Sequence, residues 1–220
     1  MIYSRDIVLC NEYAQTDADN FKRCALFVLA TVQQQLETVP VALTDICELG
    51  SASRFAWGNK AKGVEFIEAN YGSLYCTARL IVRQGTATDL LTEFLRIPGM
   101  ALVKAGFLCQ IFAGTVGCID THNIKMYDIP VSALRYRYEN SAACNVAKVR
   151  RYVELCNGLG GAHALWSRWC DYVAALRPFN WTDGAEVSRF HLDVITGRES
   201  GAITDLFSDI EYEPTFKTTE

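Results

Sequence analysis

Residues 95–123, LRIPGMALVKAGFLCQIFAGTVGCIDTHN, restrict what this chain can become more than any other stretch. Pro98-Gly99 supplies a sharp stop. Proline fixes its own φ and glycine reaches the positive φ that other residues resist. Leu102, Val103, Phe107, Leu108, Ile111 and Phe112 then recur at helical spacing, which predicts a helix over 102–112. Gly114 stands where a helix C-terminal glycine is expected. Asp120 and Thr121 precede another helical pattern, in the position where a side-chain oxygen caps free backbone N–H groups. The stretch therefore reads as a helix end, a tight hairpin, a second helix, a short loop, and an acid at the head of a third helix.

Two pieces of this stretch carry a resemblance. Ile97-Pro98-Gly99-Met100-Ala101 with its following helix, and Ile119-Asp120-Thr121-His122, resemble the helix-hairpin-helix and catalytic-aspartate signature of the HhH-GPD DNA glycosylase superfamily. The family hairpin reads roughly Leu-Pro-Gly-Val-Gly, and its aspartate segment roughly Val-Asp-Thr-His. Both are present in order, separated by one helix of suitable length, and together they cover about 30 of the 220 residues. There are two departures. Ala101 replaces the second hairpin glycine. In an ungapped register the family's Schiff-base lysine position falls on Val103, with Lys104 one residue later, about 100° round the helix. A water-using, monofunctional path is the easier extrapolation than a lyase.

The resemblance implies an all-α, two-lobed helical glycosylase-like fold. Residues 1–204 form one domain, with the hairpin at 95–113 and the aspartate loop at 114–123. Residues 205–220 form an acidic, poorly periodic tail. It implies DNA as the partner, a duplex with a base flipped into a pocket beside Asp120. Backbone N–H groups of Gly99 and Ala101 hold a phosphate, Lys104 adds charge there, and Gln110 and His122 are possible pocket residues.

Bulk numbers frame this reading. A chain of 220 residues, half of them hydrophobic, buries a substantial core. The net charge of −4 is unusual for a nucleic-acid binder, which draws on a basic face, although a local patch can coexist with an acidic whole. Nine scattered cysteines include no CxxC pair, and Cys144, Cys156 and Cys170 lie 12 and 14 residues apart. They read as reduced, mostly buried thiols of a cytoplasmic protein (host cytoplasm if phage-encoded). Their spacing does not suit the iron–sulfur cluster of some family members, so no metal and no cofactor is expected. No apolar run is long enough to span a membrane.

In chain order, residues 1–20 begin with the apolar run Ile7–Cys10 and turn polar by Gln15. A helix is predicted over 21–37, capped by Asp19 or Asn20. Gln33–Gln35 read as its solvated end rather than as the gap-filling glutamine implied by the resemblance. A short helix over 42–49 leads to a loop where Phe55 and Trp57 interleave with Arg54, Lys60 and Lys62. Such a mixture suits distorted nucleic acid, and a packed aromatic beside a solvated lysine loop is the plainer account. Helices follow over 64–71 and 73–82, broken at Gly72, then over 89–96. Beyond the motif a helix over 124–134 is interrupted by Pro130. Arg135, Arg137, Lys148, Arg150 and Arg151 make the most basic region. Helices over 145–155 and 162–175 follow, the latter with Trp166 and Trp169 on a core face, and a last one over 181–195 is capped by Thr182 or Asp183.

A carboxylate such as Asp120 stabilises the oxocarbenium character that develops when a glycosidic bond breaks, or orients a water. Three functions fit. One is a DNA N-glycosylase. Another, resembling a bacteriophage branch of the superfamily, is a transferase that joins an amine or amino acid to pyrophosphorylated hydroxymethyl-uracil in DNA. The third is a non-catalytic hairpin module.

Overall fold

The computed structural model describes residues 4–137, 141–176 and 181–198. The tail at 205–220 lies outside the described residues, as does Tyr138. Ten α-helices and three short 3-10 turns account for the regular structure, with no strand among the described residues. The all-α expectation holds.

Two helices have long stretches buried on every side and form the centre. These are α2 (Ala18–Ala30), buried at every position from Cys24 to Ala30, and α6 (Leu102–Ala113), buried from Ala105 to Phe112. Phe21 of α2 packs edge-on to Phe112 of α6 at 5.4 Å between ring centres, with Phe94 of α5 (Ala87–Phe94) against both.

The first helix, α1 (Ser4–Thr16), was not evident from the polar run that follows Cys10. Its buried face is Ile7, Cys10 and Ala14, and its polar residues serve α6. Asn11 Nδ2 donates to the carbonyls of Gln110 and Ile111, and Gln15 Nε2 to that of Phe112. The Ile111 and Phe112 carbonyls lie in the last turn of α6, where no further helical N–H follows to serve them, and the Gln110 carbonyl accepts from Gly114 N–H as well. Gly114 closes α6 in the left-handed conformation at φ 64°, as its position predicts.

Three expectations are corrected. The helix predicted over 21–37 starts at Ala18, capped by Asp17, and ends at Ala30. The Thr31 carbonyl accepts from Lys104 Nζ instead of continuing the helix, and Gln33 turns the chain at φ 55°. The two helices broken at Gly72 are one, α4 (Asn59–Gln84), because Val64, Ile67, Leu74 and Ala78 bury a continuous face that outweighs the propensity cost of one glycine. The helix over 124–134 reduces to α7 (Thr121–Met126) and a 3-10 turn at Val131–Leu134, separated where Asp128 adopts φ 49° ahead of Pro130.

A Cβ placed on Gly72 meets nothing within 4 Å. Gly72→Ala should therefore raise stability by about 0.5–1 kcal/mol through a less flexible unfolded chain. A urea melt checks this, and a loss of stability would mean that the helix needs the glycine.

The remaining elements are α3 (Val39–Leu49), α8 (Ala142–Gly158), α9 (Gly161–Ala174) and α10 (Gly184–Thr196), the last capped by Asp183 as expected. Arg23 of α2 donates to the carbonyls of Val194 and Ile195 and so closes the C-terminus of α10. Among the described residues no helix is long and apolar enough to cross a membrane.

Candidate functional site

The loop between α6 and α7 is held from three sides. Tyr152 of α8, fully buried, donates its hydroxyl to the Gly117 carbonyl at 3.0 Å and accepts from Ile119 N–H at 3.1 Å. Gln110 of α6 accepts from Cys118 N–H at 3.2 Å through Oε1, and its Nε2 donates to the Ala162 carbonyl at 2.7 Å. Asn123 Nδ2 donates to the Cys118 carbonyl at 3.0 Å. Loop segments carry function best when a rigid scaffold fixes them. This one delivers Asp120.

Asp120 is the N-cap of α7. Its Oδ1 accepts from the backbone N–H groups of His122 and Asn123, both at 3.0 Å, and its Oδ2 accepts from Trp169 Nε1 at 2.8 Å. The capping bonds are local, whereas the indole bond joins residues 49 apart and aims the second oxygen at α9.

The carboxylate faces a cavity of about 470 Å³, within the size range of small-ligand pockets. Lys104, Gln110, Asp120 and His122 all line it, so four sequence-predicted site residues converge there. Gly99 and Ala101 do not. They stay at the hairpin, where Gly99 takes φ 81° and Ala101 begins α6 with no side-chain cap over its N-terminal N–H groups.

Lys104 is a correction. The sequence places it as added charge at the phosphate-holding turn. It turns inward, with Nζ donating to Thr31 Oγ1 at 2.7 Å and to the Thr31 carbonyl at 3.3 Å. Burial lowers its pKa from the ordinary lysine value, and Cys118 and Asp120 pull the other way. Gln110 has both polar ends engaged, so it holds the loop and contributes wall rather than a free reading group. His122 places its ring against Tyr172 at 5.3 Å and leaves Nδ1 buried with no partner.

Several lining residues escaped the sequence reading. Phe107 and Trp166 stack at 6.3 Å, and Trp166 and Trp169 at 5.9 Å, making an aromatic wall from residues read as core. Spacing alone could not separate the two roles, since Trp166 is core and wall at once. Thr31, Gln34, Gln35 and Glu37 also line the cavity, as the chain leaves α2 at Ala30. Glu37 Oε2 is buried with no hydrogen-bond donor.

His191 of α10 stands edge-on to Trp166 and Trp169 at 5.4 and 5.1 Å, its Nδ1 2.7 Å from the Val187 carbonyl. Burial lowers its pKa to about 4, against the Val187 carbonyl, which raises it. Between pH 6.5 and 4 the unfolded chain takes up a proton that the folded chain refuses. Stability should fall as pH drops through that window, by up to about 3 kcal/mol, and the loss should level off below pH 4. Urea melts at pH 7 and pH 4 should show a smaller difference for His191→Phe than for the wild type.

Among the described residues no group of three or more His, Cys, Asp or Glu side chains is arranged to hold a metal. No family model matches the chain, and neither a curated protein nor a solved structure matches it.

Proposed function

We propose that the chain processes a base flipped out of duplex DNA, and that its chemistry is hydrolytic cleavage of the N-glycosidic bond. The observation that carries this reading is Asp120, a carboxylate with both oxygens oriented by N–H donors, at the edge of an aromatic-walled cavity. A base inside a duplex is unreachable without extrusion, and a flat apolar wall suits its faces. Water attacks C1′, a C1′–O bond forms as the C1′–N bond breaks, the water gives up one proton, and the base leaves with a proton gained on its nitrogen. Asp120 stabilises the cationic sugar or orients the water. In this reading the α5–turn–α6 unit serves as the helix-hairpin-helix of a two-lobed glycosylase-like fold. The N–H groups at Gly99 and Ala101, with the uncapped N-terminus of α6, hold one phosphate without reading sequence.

A second reading is favoured by Glu37. A buried carboxylate oxygen without a donor, on a residue that lines the cavity, suits the ammonium group of an amine substrate. In that case the amine nitrogen displaces pyrophosphate from the methylene carbon of pyrophosphorylated hydroxymethyl-uracil. A C–N bond forms, a C–O bond breaks, and the amine loses a proton.

Mass spectrometry of nucleosides and free bases separates the two. DNA carrying uracil, alkylated bases, hydroxymethyl-uracil or its pyrophosphorylated form is incubated with wild type and Asp120→Asn, with and without amino acids. Free base and abasic sites, lost in the variant, support excision. A heavier nucleoside without base release supports transfer. DNA binding with no product on any substrate leaves the hairpin-module reading. Borohydride in the excision arm tests Lys104. The hydrolytic path yields no trapped protein–DNA adduct, and an adduct lost in Lys104→Met would make that amine the nucleophile.

A further inference from the structure

The turn that precedes α4 contains an arrangement the cavity does not use. Lys60, in the first turn of α4, is only 3% exposed, and its Nζ is buried with no hydrogen-bond acceptor. Its ammonium lies over the ring of Trp57, 5.9 Å from the centre, and Trp57 is 47% exposed. An orphaned ammonium is costly to bury, and a half-exposed tryptophan is costly to leave in water. The local field worsens the first cost. The N-terminus of α4 has no side-chain cap and no acid in its first turn, where anions and not lysines are favoured.

The same turn abuts the hairpin. A Cβ on Gly99 would lie 2.9 Å from the Asn59 carbonyl oxygen and 3.5 Å from Lys60 Cα. Two helices without side-chain caps, α4 and α6, therefore begin beside one another with Lys60 between them. The Lys60 N–H is taken by the Trp57 carbonyl, but the other N–H groups of these two uncapped ends and one unpaired cation lie near one another, and an anion is what that region lacks.

We propose that the Trp57–Lys60 turn is a nucleotide clamp beside the hairpin, in which the Trp57 indole stacks on a DNA base and the Lys60 ammonium takes the adjoining phosphate. The two roles are linked by position. The indole covers the ammonium in the free protein, and swinging out onto a base uncovers it. Stacking tolerates any base because every base has a π face, so the clamp adds affinity rather than sequence preference. Burial, and then the charge of Lys104, lower the Lys60 pKa to about 8, a state that a phosphate would relieve. The inference rests on the proposed function only in taking DNA as the partner.

The test measures binding of the full chain to a duplex with one unpaired base, over a series of NaCl concentrations, with base release or transfer followed on the same DNA. Lys60→Met should lower the slope of log affinity against log salt by about 0.9, the value for one phosphate contact. It should also raise Tm by about 2 °C or more, since an orphaned charge is removed. Opposite signs on binding and stability exclude a purely structural lysine. Trp57→Ala should weaken binding about 5- to 100-fold, and Trp57→Phe should recover most of it. An unchanged slope in Lys60→Met, or unchanged affinity in Trp57→Ala, overturns the clamp even where base chemistry is observed. The predicted slope and affinity changes without any base chemistry establish the clamp and count against the catalytic reading. A wild type that binds no DNA overturns both.

Discussion

In the proposed excision reaction, Asp120→Asn should cut turnover at least ~100-fold, the scale seen when one preorganised electrostatic contact to a transition state is removed, while leaving the proposed DNA binding within about twofold. The asparagine keeps a carbonyl oxygen to cap α7, so the fold survives. Its amide nitrogen then meets the Trp169 N–H, donor against donor, and the neutral side chain has no charge for a cationic sugar. Asp120→Ala is the harsher variant. It removes the cap, which costs about 0.5–2 kcal/mol, and leaves the partly buried indole N–H without its acceptor, which adds about 1 kcal/mol. Thermal melts alongside turnover distinguish the two effects. Asn should lose activity with a smaller fall in Tm than Ala, because it keeps the cap and loses only the indole bond, and Ala should lose both. Equal activity in Asn and wild type would remove Asp120 from the chemistry and leave it a helix cap.

Gly63→Ala should be the most damaging single methyl in the molecule. A Cβ at this position would sit 2.3 Å from the Pro98 carbonyl oxygen and 3.0 Å from a Leu29 methyl. The leucine can turn away, but the carbonyl is hairpin backbone. The methyl therefore acts as a wedge between α4 and residues 97–100. Overpacking of this kind costs about 1–3 kcal/mol, and here it also displaces the turn that Gly99 makes against Asn59. Gly63→Ala should unfold at lower urea and bind DNA more weakly, and Gly72→Ala on the same helix should do neither. If Gly63→Ala retains wild-type stability, the close approach of α4 to the hairpin is wrong.

Local signals were legible in the sequence and long-range ones were not. Pro98-Gly99, Gly114, Asp120 and Asp183 each act within a few residues, by fixing φ or by accepting from an amide two or three positions on, so their roles can be read from the chain alone. The cavity depends on partners far apart in sequence. Lys104 meets Thr31 across 73 residues, and that bond both turns the lysine inward and ends α2 seven residues before the apolar pattern suggests. Without it Gln34, Gln35 and Glu37 look like a helix continuing into water. Trp169 reads as core because its spacing is that of core, and only the position of Asp120 gives its N–H a task. The register argument about Lys104 concerned its place relative to Val103 and was silent on the cavity, for a related reason. Rotation about a helix axis says which residues share a face, but not which face the rest of the protein makes into a cavity.

The bond from Arg23 to the end of α10 has a consequence for how the chain is made. The cavity draws on residues from Thr31 to His191, and α1 packs on α9 and α10 as well as on α2 and α6. At about 5–20 residues per second, roughly 10–30 s of synthesis separate the first wall from the last. For the part of that interval between residues 107 and 166, Phe107 lacks the tryptophans that cover it, and throughout it the α1 face that meets α10 is bare. Such late closure raises the mean sequence separation of contacts, which slows folding relative to helical proteins built from neighbouring hairpins. A nascent chain that stops before α9 offers an apolar cleft rather than a smaller working version of the protein. Folding and the appearance of the site are then one event, completed only when Val194 and Ile195 reach Arg23.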